Sequence, residues 1–189
     1  MCIMRVIGGS AKGQRLQSLP GENTRPTLDR VKESMFNMIQ LYVQGAKVLD
    51  LFGGSGALGI EALSRGGAFA YFADEHRGSI PVMEENLKKT KFQSQSKILA
   101  MDFRRALETL GKENQAFDLI FLDPPYGKAL AAEALKMIAK GELLASQGLV
   151  IIEQDKKESL EIPTDHYDLW KEKKYGNTFV RVLKNRSEA

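Results

Sequence analysis

The apolar positions of the chain change rhythm along its length. The first segment runs Arg5-Val-Ile-Gly-Gly, then Ser-Ala-Lys-Gly, then Gln14-Arg-Leu-Gln-Ser-Leu19, which predicts two short strands around a glycine-rich turn. Pro20-Gly21 and Arg25-Pro26 break the chain again. Val31, Met35, Met38 or Ile39, and Tyr42 then recur at helical spacing, with Thr27 and Asp29 near the amino end, predicting a helix over about Thr27–Tyr42. From residue 46 apolar runs and amphipathic stretches alternate. Strands are expected at Lys47–Phe52, Phe69–Asp74, Lys97–Met101, Phe117–Leu122 and Leu149–Glu153. Helices are expected at Ala57–Arg65, Ser79–Lys91, Arg104–Leu110 and Leu130–Ala139. The ending differs: His166–Lys173 and Thr178–Lys184 read as a hairpin around Tyr175-Gly176-Asn177.

Strands that are apolar throughout and separated by helices imply a mainly parallel sheet covered on both faces. Ligands of such sheets gather beyond the carboxyl ends of the strands, where the strand order reverses. Residues just after strands are therefore the candidates for chemistry. At 189 residues the chain has room for one core and a small appendage. Cys2 is the only cysteine, and His76 and His166 are the only histidines, which excludes a disulfide framework and argues against a metal centre. No apolar run approaches the ~20 residues of a membrane span. The amino terminus lacks an apolar signal core, so a cytoplasmic protein is expected. The net charge of +3 is mild, but residues 1–35 carry six bases against three acids, and residues 171–186 carry six against one. Basic ends around a near-neutral middle suit a polyanion held beside a different kind of site.

After the first sheet strand comes Asp50-Leu-Phe-Gly-Gly-Ser-Gly-Ala-Leu-Gly59. Gly54, Gly56 and Gly59 spell the dinucleotide fingerprint, and Asp74 follows Gly54 by 20 residues, where a ribose-binding acid belongs. Asp50 chooses between ligands. A carboxylate at the loop mouth repels the pyrophosphate of NAD or FAD, which takes the helix amino terminus for itself. It attracts the ammonium and sulfonium groups of S-adenosylmethionine. Asp74 then accepts from both ribose hydroxyls, and Asp102-Phe103, after the third strand, places an acid and an aromatic where adenine would lie.

The fourth strand ends in Asp123-Pro124-Pro125-Tyr126. Two prolines fix φ and remove two donors, so the corner is stiff and its carbonyls are aimed. An acceptor carboxylate, the Pro124 carbonyl and a projecting aromatic suit one task, holding the amino group of a planar base or amide. Two such hydrogen bonds disfavour conjugation of the nitrogen lone pair and point it at a methyl donor. Alignment of the two reactants supplies much of the acceleration without a covalent intermediate.

The fold pattern and the Asp-Pro-Pro-Tyr element resemble class I methyltransferases acting on exocyclic or amide nitrogens. Arg5-Val-Ile-Gly-Gly, Gly13-Gln-Arg-Leu16, Arg25-Pro-Thr-Leu-Asp-Arg-Val-Lys-Glu33, Phe36-Asn37 and the segment from Asp50 to Arg65 resemble, more closely, the RsmD-type methyltransferases of bacterial 16S ribosomal RNA. The resemblance covers nearly the whole chain and loosens after Glu153. It implies an α/β, Rossmann-like class I methyltransferase fold, with a mainly parallel seven-stranded sheet, an antiparallel carboxyl-terminal hairpin and a small amino-terminal β-hairpin extension. Residues 1–26 would form the basic arm and 27–189 the methyltransferase domain. It implies methylation of the exocyclic N2 of a guanine, with cofactor contacts from Asp50, Phe52, Gly54, Ser55, Gly56, Asp74, Asp102 and Phe103. Target-base handling falls to Asp123, Pro124, Pro125 and Tyr126, and RNA phosphates to Arg5, Arg15, Arg25 and Arg30. The expected partner is ribosomal RNA, within a small-subunit particle or an assembly intermediate, with neither membrane nor metal. The same chemistry would serve a DNA adenine-N6 or a protein glutamine-N5 methyltransferase, although 189 residues leave little room for a DNA-recognition domain. An NAD oxidoreductase and a non-catalytic RNA-binding module fit less well, since Asp50 opposes the first and the two intact motifs oppose the second.

Overall fold

The computed structural model describes residues 4–19, 26–125 and 130–186. Among the described residues, five α-helices and seven strands follow in chain order: α1 (Pro26–Ile39), β1 (Lys47–Asp50), α2 (Ala57–Ser64), β2 (Phe69–Ala73), α3 (Ser79–Thr90), β3 (Ser96–Leu99), α4 (Phe103–Lys112), β4 (Phe117–Leu122), α5 (Leu130–Lys140), β5 (Leu144–Asp155), β6 (Tyr167–Tyr175) and β7 (Thr178–Asn185). The strands form one sheet in the order β3-β2-β1-β4-β5-β7-β6. Strands β3 to β5 run parallel, while β7 is antiparallel to β5 and β6 antiparallel to β7. This is the α/β fold that the pattern implies.

Strands β1 and β4 lie in the middle with both faces covered, which is why their central residues are apolar on both sides, with Asp118 near the start of β4 the exposed exception. On one face, Val48, Leu119, Phe121, Leu149, Ile151, Val180 and Val182 pack under α1, α2 and α3. On the other, Leu49, Ile120, Leu122, Val150 and Ile152 pack under α4 and α5. Helix α4 shows the rule in miniature: Phe103, Ala106, Leu107 and Leu110 are buried at i, i+3, i+4 and i+7, and the Asp102 carboxylate caps the start by accepting from Arg104 N. The chain travels outward from β1 to β3 and then jumps back to β4 beside β1. The strand order therefore reverses between β1 and β4, and a crevice is expected at their carboxyl ends.

Several boundaries move for physical reasons. Helix α1 stops at Ile39 and tightens into a single 3₁₀ turn over Gln40–Tyr42. Strand β5 starts five residues before its apolar run, at Leu144, which pairs with Phe117 ahead of a register shift. Its early, polar stretch gives no apolar signal. Strand β6 carries a register shift between Leu169 and Lys171, leaving Trp170 as the extra residue.

The amino-terminal arm is a minimal hairpin. Arg5 and Arg15 form an antiparallel bridge, flanked by Val6 N donating to the Gln14 carbonyl at 2.9 Å, and by Gly13 N to the Val6 carbonyl and Leu16 N to the Met4 carbonyl, each at 2.8 Å. Other amides of the arm reach α2: Ile7 N and Gly8 N each donate to the Glu61 carboxylate at 2.8 Å, and Ala11 N donates to Ser64 Oγ at 2.9 Å. Val6, Ala11 and Leu16 join the core on the α1–α3 face. Gly9 sits so close to α2 that a Cβ there would lie 1.7 Å from the Ser64 carbonyl oxygen, and its φ is +77°. No helix among the described residues is long and apolar enough to cross a membrane.

Candidate active site

Alternation along the strands settles which face the acids share. Asp50 ends β1 two residues after Val48, and Asp123 follows β4 two residues after Phe121. Both stand at the carboxyl ends of adjacent strands, on the α1–α3 face, at the reversal point. Asp50 is 2% exposed, and its Oδ2 accepts from Gly59 N at 3.0 Å. Burial pushes its carboxyl up from 3.8 to about 7; the Gly59 hydrogen bond opposes this, and the charges of Asp123 and Asp74 add to it. Asp123 is exposed, Pro124 buried and Pro125 exposed. Tyr126 and Arg25 lie outside the described residues.

The glycine loop is tied down on three sides. Asp74, just after β2, accepts from Gly54 N on Oδ2 and from His76 N on Oδ1, both at 2.7 Å. Each carboxylate oxygen keeps a second lone pair, so acceptance of ribose hydroxyls remains open. Gly59 packs α2 onto β2: a Cβ there would lie 2.3 Å from the Phe72 ring. Ser55 is buried, and its hydroxyl donates to Met4 Sδ at 3.2 Å, while its carbonyl accepts from Asn86 Nδ2 at 2.9 Å. Thus Ser55 and Gly56 hold the loop's shape from inside.

Asp102 and Phe103 open α4. Asp102 Oδ1 accepts from Arg104 N at 2.9 Å, and its other oxygen lies 3.2 Å from the Arg104 guanidinium. The side chain is thus a helix cap that remains partly open to solvent. The Phe103 ring is 5% exposed and rests 5.2 Å from the half-buried Phe52 ring. Phe52 and Phe103, distant in sequence, therefore form one aromatic wall beside the loop. Arg5 and Arg15 stand side by side through their bridge, and with Arg30 they are exposed. Arg5 Nε also lies 3.3 Å from Asp29 Oδ2.

Three residues escaped the sequence reading. Glu61, fully buried on α2, pairs with Lys32 at 3.4 Å and Arg65 at 2.7 Å, besides receiving the two arm amides. Lys32 also donates to the Arg5 carbonyl at 2.6 Å, and burial lowers its pKa against the pull of Glu61. A lone acid inside the apolar helix Ala57–Ser64 is the signal that could have found Glu61. Asn86, 0% exposed on α3, exchanges hydrogen bonds with the backbone of Gln17 and donates to Ser55, linking arm to loop. Glu153 closes the apolar run of β5 and is 8% exposed.

A family model described as Conserved hypothetical protein 95 matches residues 4–184. "Ribosomal RNA small subunit methyltransferase D" of Haemophilus influenzae is 34% identical over 187 residues, covering 96% of this chain and 94% of the relative. The solved structure of yhhF from Escherichia coli superposes with a TM-score of 0.85 at 29% identity, covering 99% of this chain and 100% of that one. A structure solved in complex with SAH shares the fold, with a TM-score of 0.70 at 15% identity over 85% of this chain and 50% of that one.

Proposed function

We propose that this chain, which belongs to the family described as Conserved hypothetical protein 95, is an S-adenosylmethionine-dependent methyltransferase that modifies the exocyclic N2 of a guanine in small-subunit ribosomal RNA. The observation that carries the reading is the placement of Asp50 and Asp123 at the carboxyl ends of neighbouring strands, on one face, across the point where strand order reverses. The rRNA methyltransferase name of the Haemophilus influenzae relative supports the substrate class.

The residues present fit the cofactor. Asp50, Asp74 and Asp123 surround the loop closely enough for the last two to raise the pKa of the first, so the mouth has a negative field. Such a field suits ammonium and sulfonium charges and repels pyrophosphate. When bound, the cofactor supplies an electrophilic methyl group. Around it, Asp74 would take the ribose hydroxyls, and Asp102 with the Phe52–Phe103 wall would take the adenine. The backbone of Gly54, Ser55 and Gly56 would run along the remainder.

On the acceptor side, Asp123 and the Pro124 carbonyl would accept the two N2 hydrogens, with Pro125 stiffening the corner. The resemblance gives Tyr126 the stacking role. Holding N2 in line with the methyl group is then the main catalytic contribution, and the proton that N2 sheds on methylation would leave to the Asp123 carboxylate that already accepts it. A guanine in structured RNA must leave its stack to reach this corner. Arg5, Arg15, Arg25 and Arg30 would grip phosphates on the way, in a small-subunit particle or an assembly intermediate.

The test is Asp123→Ala. Calorimetry should show adenosylmethionine affinity near wild type. Transfer of labelled methyl groups to small-subunit RNA from a strain lacking the protein should fall about 100-fold, the scale for loss of one preorganised polar contact to the reacting group. Mass spectrometry of the digested wild-type product should identify N2-methylguanosine. Full transfer by Asp123→Ala, or methylation of another atom, would overturn the reading.

A further inference from the structure

Glu153 has no part in the site so far, yet its position calls for one. In the parallel β4–β5 ladder Leu122 faces Ile152, and one step beyond it, past the end of β4, the same register brings Asp123 beside Glu153, close enough for the Asp123 charge to act on it. Glu153 lies two residues after Ile151, which packs on the α1–α3 face, and opposite Val180, which packs there too. Its carboxyl therefore stands beside that of Asp123, on the same face. The two differ in exposure: Asp123 is open to solvent, whereas Glu153 is 8% exposed.

A buried carboxyl is ordinarily balanced by a cation or stays neutral. Among the described residues no ion pair includes Glu153. The groups around it explain this. Strand β4, its neighbour, presents Asp123, another acid. Strand β7 presents Val180, while Arg181 bonds Glu172 and Gln154 on the other face. Helix α1 offers Lys32, already paired with Glu61, and Ser34, bonded to the Tyr175 hydroxyl of β6. Burial first, and then the charge of Asp123, push the Glu153 carboxyl up to about 8. At neutral pH it is therefore mostly an O–H donor, and the acceptor that the ladder sets next to it is Asp123.

We infer that Glu153 is a positioning residue of the methyl-transfer site, holding the Asp123 carboxylate by one oxygen so that the other faces the incoming amino group. The inference rests on the proposed role of Asp123 and deepens it. A protonated neighbour donates to the Asp123 carboxylate without neutralising it, and so favours one rotation of that group. An ionised neighbour would repel the carboxylate and disfavour that rotation. Leucine at 153 would have filled the same space at lower cost, so the acid is an expense that a purely structural role does not require.

The experiment is single-turnover methyl transfer from pre-bound adenosylmethionine to small-subunit particles from a deletion strain, followed from pH 6 to pH 9.5. The wild-type rate should fall as pH rises through about 8. Glu153→Gln retains a donor of nearly the same shape; it should stay within about twofold at pH 7 and lose that fall. Glu153→Ala should transfer about tenfold more slowly at pH 7, with cofactor and RNA affinities unchanged, as loss of one charge-assisted hydrogen bond implies. Carbon-13 NMR gives a second readout, free of any folding problem in the Glu153 variants. The Glu153 carboxyl should titrate well above the usual carboxylate range in wild type, and lower in Asp123→Asn. A wild-type pH profile shared by Glu153→Gln, wild-type rates in Glu153→Ala, or a titration indifferent to Asp123→Asn would each overturn the inference. If Asp123→Ala is inactive while the Glu153 variants behave as wild type, only this inference falls. If Asp123→Ala is fully active, the underlying reading falls with it.

Discussion

Asp50→Asn separates what the buried carboxylate does for the fold from what it does for the ligand. Asparagine keeps an oxygen to accept the Gly59 N–H and removes the charge that burial, Asp123 and Asp74 all disfavour. The Asp50 carboxyl is raised from 3.8 to about 7. At about 1.4 kcal/mol for each tenfold change in the ionisation equilibrium, this makes the folded protein about 4 kcal/mol less stable at neutral pH than one with a neutral group there. The sign follows from which state holds the proton. Below pH 3.8 both folded and unfolded chains are protonated at this site and the cost is absent. Between pH 3.8 and about 7 the unfolded chain ionises first and the cost grows; above about 7 it is constant. The variant should therefore melt at a higher temperature than wild type at pH 8, by up to about 10 °C on the scale for chains of this length, and the gap should close toward pH 4. Paired thermal melts across this range, with chemical denaturation at pH 5 and pH 8, measure it. In the same variant, adenosylmethionine affinity at pH 8 should fall about tenfold, because a cationic ligand loses its nearest buried anion. Stability curves that superimpose at every pH would refute the electrostatic account. An affinity unchanged from wild type would remove Asp50 from the ligand site.

Three further outcomes are expected. Glu61→Ala leaves Lys32 buried without its anion and two arm amides without an acceptor, so denaturant titration should show a loss of about 3–5 kcal/mol, with protease cutting the arm first. Gly59→Ala drives a methyl into the Phe72 ring and should cost about 1–3 kcal/mol by the same titration; an unchanged midpoint would contradict the tight helix–strand approach. Asp74→Ala should weaken adenosylmethionine binding in calorimetry and also loosen the loop, since Gly54 N loses its acceptor, visible as faster amide exchange at Gly54.

Apolar runs and the 3.6 period were enough to find every sheet strand and helix from residue 46 onward, with β5 alone starting five residues early, because central strands covered on both faces must be largely apolar and the helices over them amphipathic. Asp50, Asp74 and Asp123 stood out for the same reason, as acids closing apolar runs, whereas Glu153, which closes the run of β5, did not. Long-range partners were not legible. The arm pairs as a short hairpin, but its anchors, Glu61 and Ser64, lie 53 or 54 residues away and take the Ile7, Gly8 and Ala11 amides. Asp50 reads in the sequence as a ligand's anion, and only the packed structure shows how completely it is buried and how far its ionisation is disfavoured. Glu153 is an ordinary strand end until the β4–β5 register sets it beside Asp123. The division has one physical source. Local sequence controls backbone periodicity and which face of an element is apolar, whereas the burial of polar groups, their hydrogen-bond partners and their pKa values depend on which atoms the fold brings within a few ångströms, and that is a property of the tertiary structure alone.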